Sequence, residues 1–259
     1  MKYYVVADTH GYYTKLTSAL TEAGYYADET PKKLLLLGDL LDRGPENVKM
    51  QDFVYDLLKR DEVILVRGNH EDLLEDLVDN LDRYAELELH TSHHYHNRTV
   101  HTVCDLARCS VGAMTAVPYQ IRARMRHTPF MRYVMPEMVD YYETEHYVFV
   151  HGWIPVKDLA PEGMRPQLVY DPDWRDATLL RWQKARWING MEAAEHGLLV
   201  PGKTVVCGHY HCSWGHYRAG TSDESGPYAD YSPYYAEGII AIDACTAYSG
   251  RVNVLVVDD

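Results

Sequence analysis

The chain reads as an α/β protein with a mostly parallel sheet, and three features of its first third carry that reading. Short apolar runs alternate with helical stretches, the pattern of βαβ units. The runs are nearly unbroken in Val, Ile and Leu, as expected of strands covered on both faces. Each run ends in a polar loop dense in Asp, His, Arg or Asn, and ligands of such sheets collect at the carboxyl ends of the strands.

In order, YYVVA (3–7) leads into DTHG and a helical TKLTSALTEAG closed by Gly24, a helix-stop glycine. KLLLL (33–37) leads into GDLLDRG (38–44) and then NVKMQDFVYDLLKR (47–60), whose apolar residues fall at helical spacing. VILV (63–66) leads into RGNHED (67–72) and LLEDLVDNL (73–81). The stretch 82–144 breaks the pattern and predicts a mainly helical insertion or cap. It holds an irregular ELELHTSHHYHNRT and a helix-like MTAVPYQIRARMRHTP. The sheet resumes with HYVFV (146–150) before HGW, and with KTVVC (203–207) before GHYHC. A helical LLRWQKARWINGMEAAEHG lies between them, and 218–235 reads as a Gly, Ser, Pro and Tyr loop. GIIAIDA (238–244) and GRVNVLVVDD (250–259) read as a closing antiparallel pair. No composition shift demands a boundary, so residues 1–259 are taken as one domain carrying the insertion at about 82–144.

The 259 residues are 46% hydrophobic, enough for a sizeable core. The net charge of −13 excludes a general basic surface for nucleic acid or membrane. An anion handled by so acidic a chain needs local arginines or metal ions. Five cysteines without a CxxC argue against a disulfide framework or a cysteine zinc site. With no apparent signal segment and no long apolar run, the expectation is a reduced cytoplasmic protein.

Asp8 and His10 follow the first strand, Asp39 the second, Asn69 the third, and His151 and His209 the two later ones. Carboxylate, imidazole and amide oxygen together suit a transition metal, and Asp39 is central enough to bridge two ions. Two ions about 3.5–4 Å apart can clamp a phosphate and activate a water.

DTH (8–10), GDLLDRG (38–44), RGNHE (67–71), VHGW (150–153) and CGH (207–209) resemble the calcineurin-like metallophosphoesterases. The likeness is strongest to their phosphoprotein phosphatase group, which takes in serine/threonine phosphatases and symmetrical diadenosine tetraphosphatases. IDACTAYSGRVNVL (242–255) is also similar to the family. The resemblance implies a layered β-sandwich flanked by helices. It also implies hydrolysis of a phosphoester by direct attack of metal-bound hydroxide, with two divalent transition ions, manganese first and iron, zinc or nickel as alternatives. Asp8, His10 and Asp39 would hold one ion, and Asp39, Asn69, His151 and His209 the other. His70 would be the general acid, Asp42 the carboxylate that orients it, and Arg43 the phosphate clamp. Arg186 is preferred to Arg181 as a second phosphate arginine. HGW stands where HGG or HAG is common, placing Trp153 to narrow the site or stack on substrate. A serine/threonine-type protein phosphatase is the leading expectation. A hydrolase of diadenosine polyphosphates or other nucleotide anhydrides is the alternative, with Trp153 and the tyrosine-rich loop to stack a base. A non-catalytic scaffold is the third, though a degenerate scaffold would be expected to have lost ligands.

Elsewhere the bland readings stand. His90, His93, His94 and His96 read as a solvated loop, the acid-rich stretch 71–82 as a solvated helix face, and Cys207 as core.

Overall fold

The computed structural model describes residues 1–84, 86–160 and 167–259. Two sheets stack face to face. The first has the order β11-β1-β2-β3, formed by Leu255–Asp258, Lys2–Val6, Lys32–Leu37 and Val63–Val66. Strands β1, β2 and β3 are parallel, and β11 closes the edge antiparallel to β1. The second has the order β4-β5-β8-β10-β9, formed by Tyr142–Glu143, Tyr147–Phe149, Thr204–Cys207, Ile239–Ala241 and Tyr234–Ala236. Its three inner strands β5, β8 and β10 are parallel. A short ribbon, β6 (Lys157–Asp158) with β7 (Leu168–Val169), stands apart from both sheets.

Period-2 alternation explains the layers. Tyr3, Val5, Ala7, Leu35, Leu37 and Val66 point between the sheets, where they meet Phe149, Val206 and Ile242. Their neighbours Tyr4, Val6, Leu34 and Leu36 point outward, under helices. Those helices include α1 (Tyr13–Glu22), α2 (Asn47–Lys59) and α3 (Asn69–Asp79). On the far side Val148, Val150, Val205, Cys207 and Ile239 bury under Trp153, Trp174 and Trp182. The order is therefore helices, sheet, sheet, helices, the sandwich that was expected.

The stretch after α3 is helical: α4 (Glu86–Thr91), α5 (His93–His96), α6 (Thr99–Ala107), α7 (Val111–Ala116) and α8 (Pro118–Arg126). Ala85, inside the predicted insertion, lies outside the described residues. Val100, Val103, Met114, Ile121 and Met125 share one apolar cluster with β1, β2 and α2, so these helices are built into the core on that side. Two expectations are corrected here. The histidine-rich run is helical, with Ser92 accepting from the Tyr95 N–H to start α5, and His94 is fully buried with its Nε2 3.1 Å from Asp76. MTAVPYQIRARMRHTP is two helices, because Pro118 cannot continue α7 and opens α8 at a first-turn position.

The carboxy-terminal half adds α9 (Leu179–Ala185), α10 (Gly190–Glu195), α11 (Cys212–Arg218) and α12 (Thr246–Ser249). The expected closing pair is also corrected. β10 lies in the second sheet between β8 and β9, while β11 joins the first beside β1. Local pattern marks both as strands, but a strand's partner is chosen by the face it must bury, and these two serve different sheets.

Candidate metal centre and acid dyad

The loops after β1, β2, β3, β5 and β8 converge on one edge of the sandwich. All the expected residues there except Arg43 and His209 are at least nine-tenths buried: Asp8, His10, Asp39, Asp42, Asn69, His70 and His151. The backbone is strained where it delivers them. Asp8, His10, Asp39, Asp42, Arg43 and His209 all have φ between 47° and 72°, a left-handed conformation that costs a side-chain-bearing residue free energy and clusters at functional sites. Gly38, at φ 81°, lets two loops touch, because a Cβ there would collide with the Gly68 backbone.

Asp39 sits in the middle. Its Oδ1 accepts from the His70 backbone N–H at 2.9 Å and lies 3.3 Å from His151 Nε2. Its Oδ2 lies 3.7 Å from His10 Nε2 and 3.8 Å from His70 Nε2. Two three-residue groups, His10–Asp39–His70 and Asp39–His151–His209, each bring ligand atoms within 4.8 Å of one another and could hold a metal ion.

The donor set fits cations. His151 Nδ1 donates to the Leu37 carbonyl at 2.7 Å, so its Nε2 carries a lone pair. That lone pair faces Asn69 Oδ1 at 2.8 Å, which is itself an acceptor. Two acceptors at that distance repel unless a proton or cation stands between them. His209 Nδ1 reaches the same Asn69 oxygen at 2.9 Å. His10 repeats the device: its Nδ1 donates to the Leu41 carbonyl at 3.1 Å, freeing Nε2. Charge agrees as well. Asp8, Asp39 and Asp243 are all buried here. Burial, with Asp243 and Asp39 close by, pushes the Asp8 carboxyl well above its usual range. Burial pushes Asp243 up to about 6.

The imidazoles divide into two kinds. Burial holds His10 and His151 below the ordinary histidine range, and burial with His151 beside it takes His209 down to about 4. Neutral imidazole is the ligand form. His70 goes the other way: burial opposes its charge, but Asp39 and Asp42 outweigh that and raise it. Its Nδ1 donates to Asp42 Oδ2 at 2.7 Å. Arg43 spans the two kinds, donating from Nη1 to His10 Nε2 at 2.8 Å and from Nη2 to His70 Nε2 at 3.0 Å.

Both candidates for a second phosphate arginine are engaged by carboxylates. Arg186 is 2% exposed between Asp72, at 2.6 Å, and Asp140. Arg181 donates to Asp171 at 2.6 Å. Trp153 is 1% exposed, with its indole N–H on the Leu198 carbonyl, and is a core residue rather than a wall of the site. The exposed tryptophan is Trp187, 52% accessible, with its ring centroid 5.7 Å from that of His209. It lay unnoticed inside ARWING, where no local pattern distinguishes an exposed indole from a buried one.

Two more residues escaped the sequence reading. Glu71 is buried rather than on a solvated face. Its carboxylate accepts from the Asp39, Leu40 and Gly68 N–H groups at 2.9, 2.9 and 2.8 Å, tying the second loop to the third. Asp243 follows β10, and its position in a family-like segment was its only signal.

Relatives give the context. The chain matches an asymmetrical bis(5'-nucleosyl)-tetraphosphatase PrpE from Geobacillus sp. strain WCH70 at 34% identity over 76 residues, 27% of this chain and 31% of that one. It matches a symmetrical bis(5'-nucleosyl)-tetraphosphatase from Nitrosospira multiformis at 39% over 71 residues, 27% of this chain and 24% of the other. The match thus spans about a third or less of these relatives' length. A solved cold-active protein tyrosine phosphatase superposes with TM-score 0.54 at 15% identity, covering 99% of this chain and 73% of that one. Another, from a psychrophilic Shewanella species, gives 0.50 at 16%, covering 100% and 75%. At such identities the likeness is one of fold. The profile of the calcineurin-like phosphoesterases matches residues 1–213, and with that match the chain belongs to this family.

Proposed function

We propose that the protein is a metal-dependent phosphoester hydrolase, with Asp8, His10 and Asp39 on one divalent ion and Asp39, Asn69, His151 and His209 on a second. The observation that carries this is the convergence of Asn69 Oδ1, at 2.8 Å, and Asp39 Oδ1, at 3.3 Å, on unprotonated His151 Nε2 at a buried strand edge. Bound there, the ions would supply Lewis acidity to the phosphoryl oxygens and lower the pKa of water. The protein's own groups do the rest. Arg43 offers a planar guanidinium to the phosphate oxygens, in exchange for the histidine nitrogens it contacts in this structure. Asp42 keeps a proton on His70 Nδ1, so that a second proton on Nε2 can pass to the leaving oxygen. Arg186, claimed by Asp72 and Asp140, braces the first turn of α3, which carries Asn69, leaving phosphate to Arg43.

Two substrate classes remain in view, each with its own support. A buried, carboxylate-oriented acid is most useful to a basic alkoxide, which favours the phosphomonoester of a serine/threonine-type phosphoprotein. Exposed Trp187 beside His209 offers a face to a nucleobase, and the tetraphosphatase names of the matched relatives point the same way, towards a dinucleoside polyphosphate. The five free thiols support a cytoplasmic setting.

Chelator-stripped protein, reloaded singly with Mn, Fe, Zn, Ni or Mg, is to be tested on p-nitrophenyl phosphate, a phosphoserine peptide and diadenosine tetraphosphate. Metal-restored turnover of any of them is the expected result, and their ranking selects the substrate. Full metal loading with no turnover of all three would replace the enzyme reading with a binding scaffold.

A further inference from the structure

Helix α6 touches the loop after β2 along a single face. Thr99, Thr102 and Asp105 recur every three residues, which puts them on one side of a helix. The Thr99 hydroxyl donates to Asp42 Oδ2 at 2.7 Å, the same oxygen that accepts from His70 Nδ1. The Thr102 hydroxyl donates to Asp42 Oδ1 at 2.5 Å. Asp105 accepts from Asn47 Nδ2 at 2.9 Å, and Asn47 Oδ1 accepts from the Asp42 backbone N–H at 3.1 Å. Both threonines are fully buried. Threonine hydroxyls in helices ordinarily bond back to a carbonyl of the preceding turn. These two instead reach a carboxylate far earlier in the chain, and hydrogen bonds to an ionised acceptor are the strong ones.

We propose that Thr99 and Thr102 are positioning residues of the acid dyad, holding the Asp42 carboxylate so that His70 keeps its proton on Nδ1 and aims Nε2 at the leaving oxygen. The inference rests on the reading of His70 as general acid. It gives the helical insertion a definite task, since α6 supplies the outermost member of a Thr–Asp–His chain. Each Asp42 oxygen has a hydroxyl of its own, so the carboxylate plane is fixed from both sides. Without them Asp42 could rotate about its side-chain bonds and carry the imidazole with it. Neither threonine contacts the phosphoryl group in this scheme, so substrate binding and metal loading stay unchanged when they are removed.

The test uses the full chain, manganese-loaded, as wild type, Thr99→Val, Thr102→Val, the double valine variant and Thr102→Ser. Valine keeps the shape and removes the donor. Two substrates, phenyl phosphate and p-nitrophenyl phosphate, share a ring and differ in the basicity of the leaving oxygen. The double variant should lose roughly 10- to 100-fold in kcat on phenyl phosphate, the scale of one or two hydrogen bonds to a charged group. It should lose less than about 3-fold on p-nitrophenyl phosphate, whose departure needs little acid help. KM and manganese content should hold, and serine should restore the rate. Equal losses on both substrates, no loss in a folded and metal-replete double variant, or failure of serine to rescue would overturn the proposal.

A second readout needs no turnover. In proton NMR at fixed pH, the His70 Nδ1–H should stand far downfield, identified by its disappearance in His70→Asn. It should move upfield or exchange away in the double variant, and an unchanged signal there would overturn the proposal. Should wild type hydrolyse neither of these substrates nor diadenosine tetraphosphate with any ion, the phosphoesterase reading fails by itself, and this proton alone decides whether the threonines position the dyad.

Discussion

The strand edge and the helical insertion contribute to the same site in opposite ways. At the edge every candidate side chain sits within six residues of a strand end, in segments whose residue types announce chemistry. In the insertion the contribution comes from two threonines on a helix, residue types that announce nothing. The edge delivers groups that would meet ions and phosphate. The insertion delivers groups that meet Asp42. Spacing along a chain can therefore find ligands, whereas the residues that hold a ligand or acid still are set by what packs behind it.

Perturbing Asp39 should have the largest effect. It is the carboxylate shared by both candidate metal groups. Burial by itself would raise its pKa, yet His151, His70 and His10 hold it well below the usual range. Asp39→Asn is expected to lower turnover by at least roughly 10³-fold and to reduce bound metal per chain, read by elemental analysis. Normal metal content and rate would remove the edge from its central place in the comparison.

His70→Asn comes next, because His70 belongs to the edge by sequence and to the insertion by support. Metal content should be unchanged, while kcat on phenyl phosphate falls roughly 10²- to 10⁴-fold and kcat on p-nitrophenyl phosphate falls much less. Loss of metal would make His70 a ligand instead, as its place in the His10–Asp39–His70 group allows.

Trp187→Ala is a smaller test, of the rim rather than the edge. If a base stacks on it, KM for diadenosine tetraphosphate should rise roughly 5- to 100-fold, the worth of one base–aromatic contact, with KM for a phosphoserine peptide unmoved. The opposite pattern would give Trp187 to peptide recognition.

Glu143 provides the baseline, an ion pair whose partners, Arg175 and Lys203, are not residues of the candidate site. It lies 2.5 Å from Arg175 and 2.9 Å from Lys203. The hydrogen bond from Arg175, against the opposing effect of burial, takes its pKa from 4.5 down to about 2. Since the folded-state value is the lower one, the stabilisation is present above pH 4.5 and is lost as pH falls towards 2. Glu143→Gln should lower stability by less than about 1 kcal/mol at pH 7, and the gap between the melting curves should close in that acid window. A gap that persists below it would assign the effect to packing.

Much of this was visible before any fold was known. DTH, GDLLDRG, GNHE, HGW and GH each follow an apolar run, and the structure brings Asp8, His10, Asp39, Asn69, His151 and His209 together at one edge. Trp153 misled because HGW places an indole beside a candidate ligand, and only packing shows that its ring turns into the second core. Glu71 misled because it opens an acidic helix, and acidic helices are usually wet. What buries it is the approach of the second loop, which needs its carboxylate as an acceptor for three N–H groups.

The sequence by itself determined the strands of the parallel core, the polar loops at their ends and the chemistry of the residues in those loops. These depend on neighbours in the chain: period-2 burial, helical spacing and the residue that follows a strand. The tertiary structure alone decided which sheet β10 and β11 join, which tryptophan faces out and which hydroxyls grip Asp42. Each of those depends on a partner far away in the chain, such as the 60 positions between Asp42 and Thr102, and local pattern carries no term for such a partner.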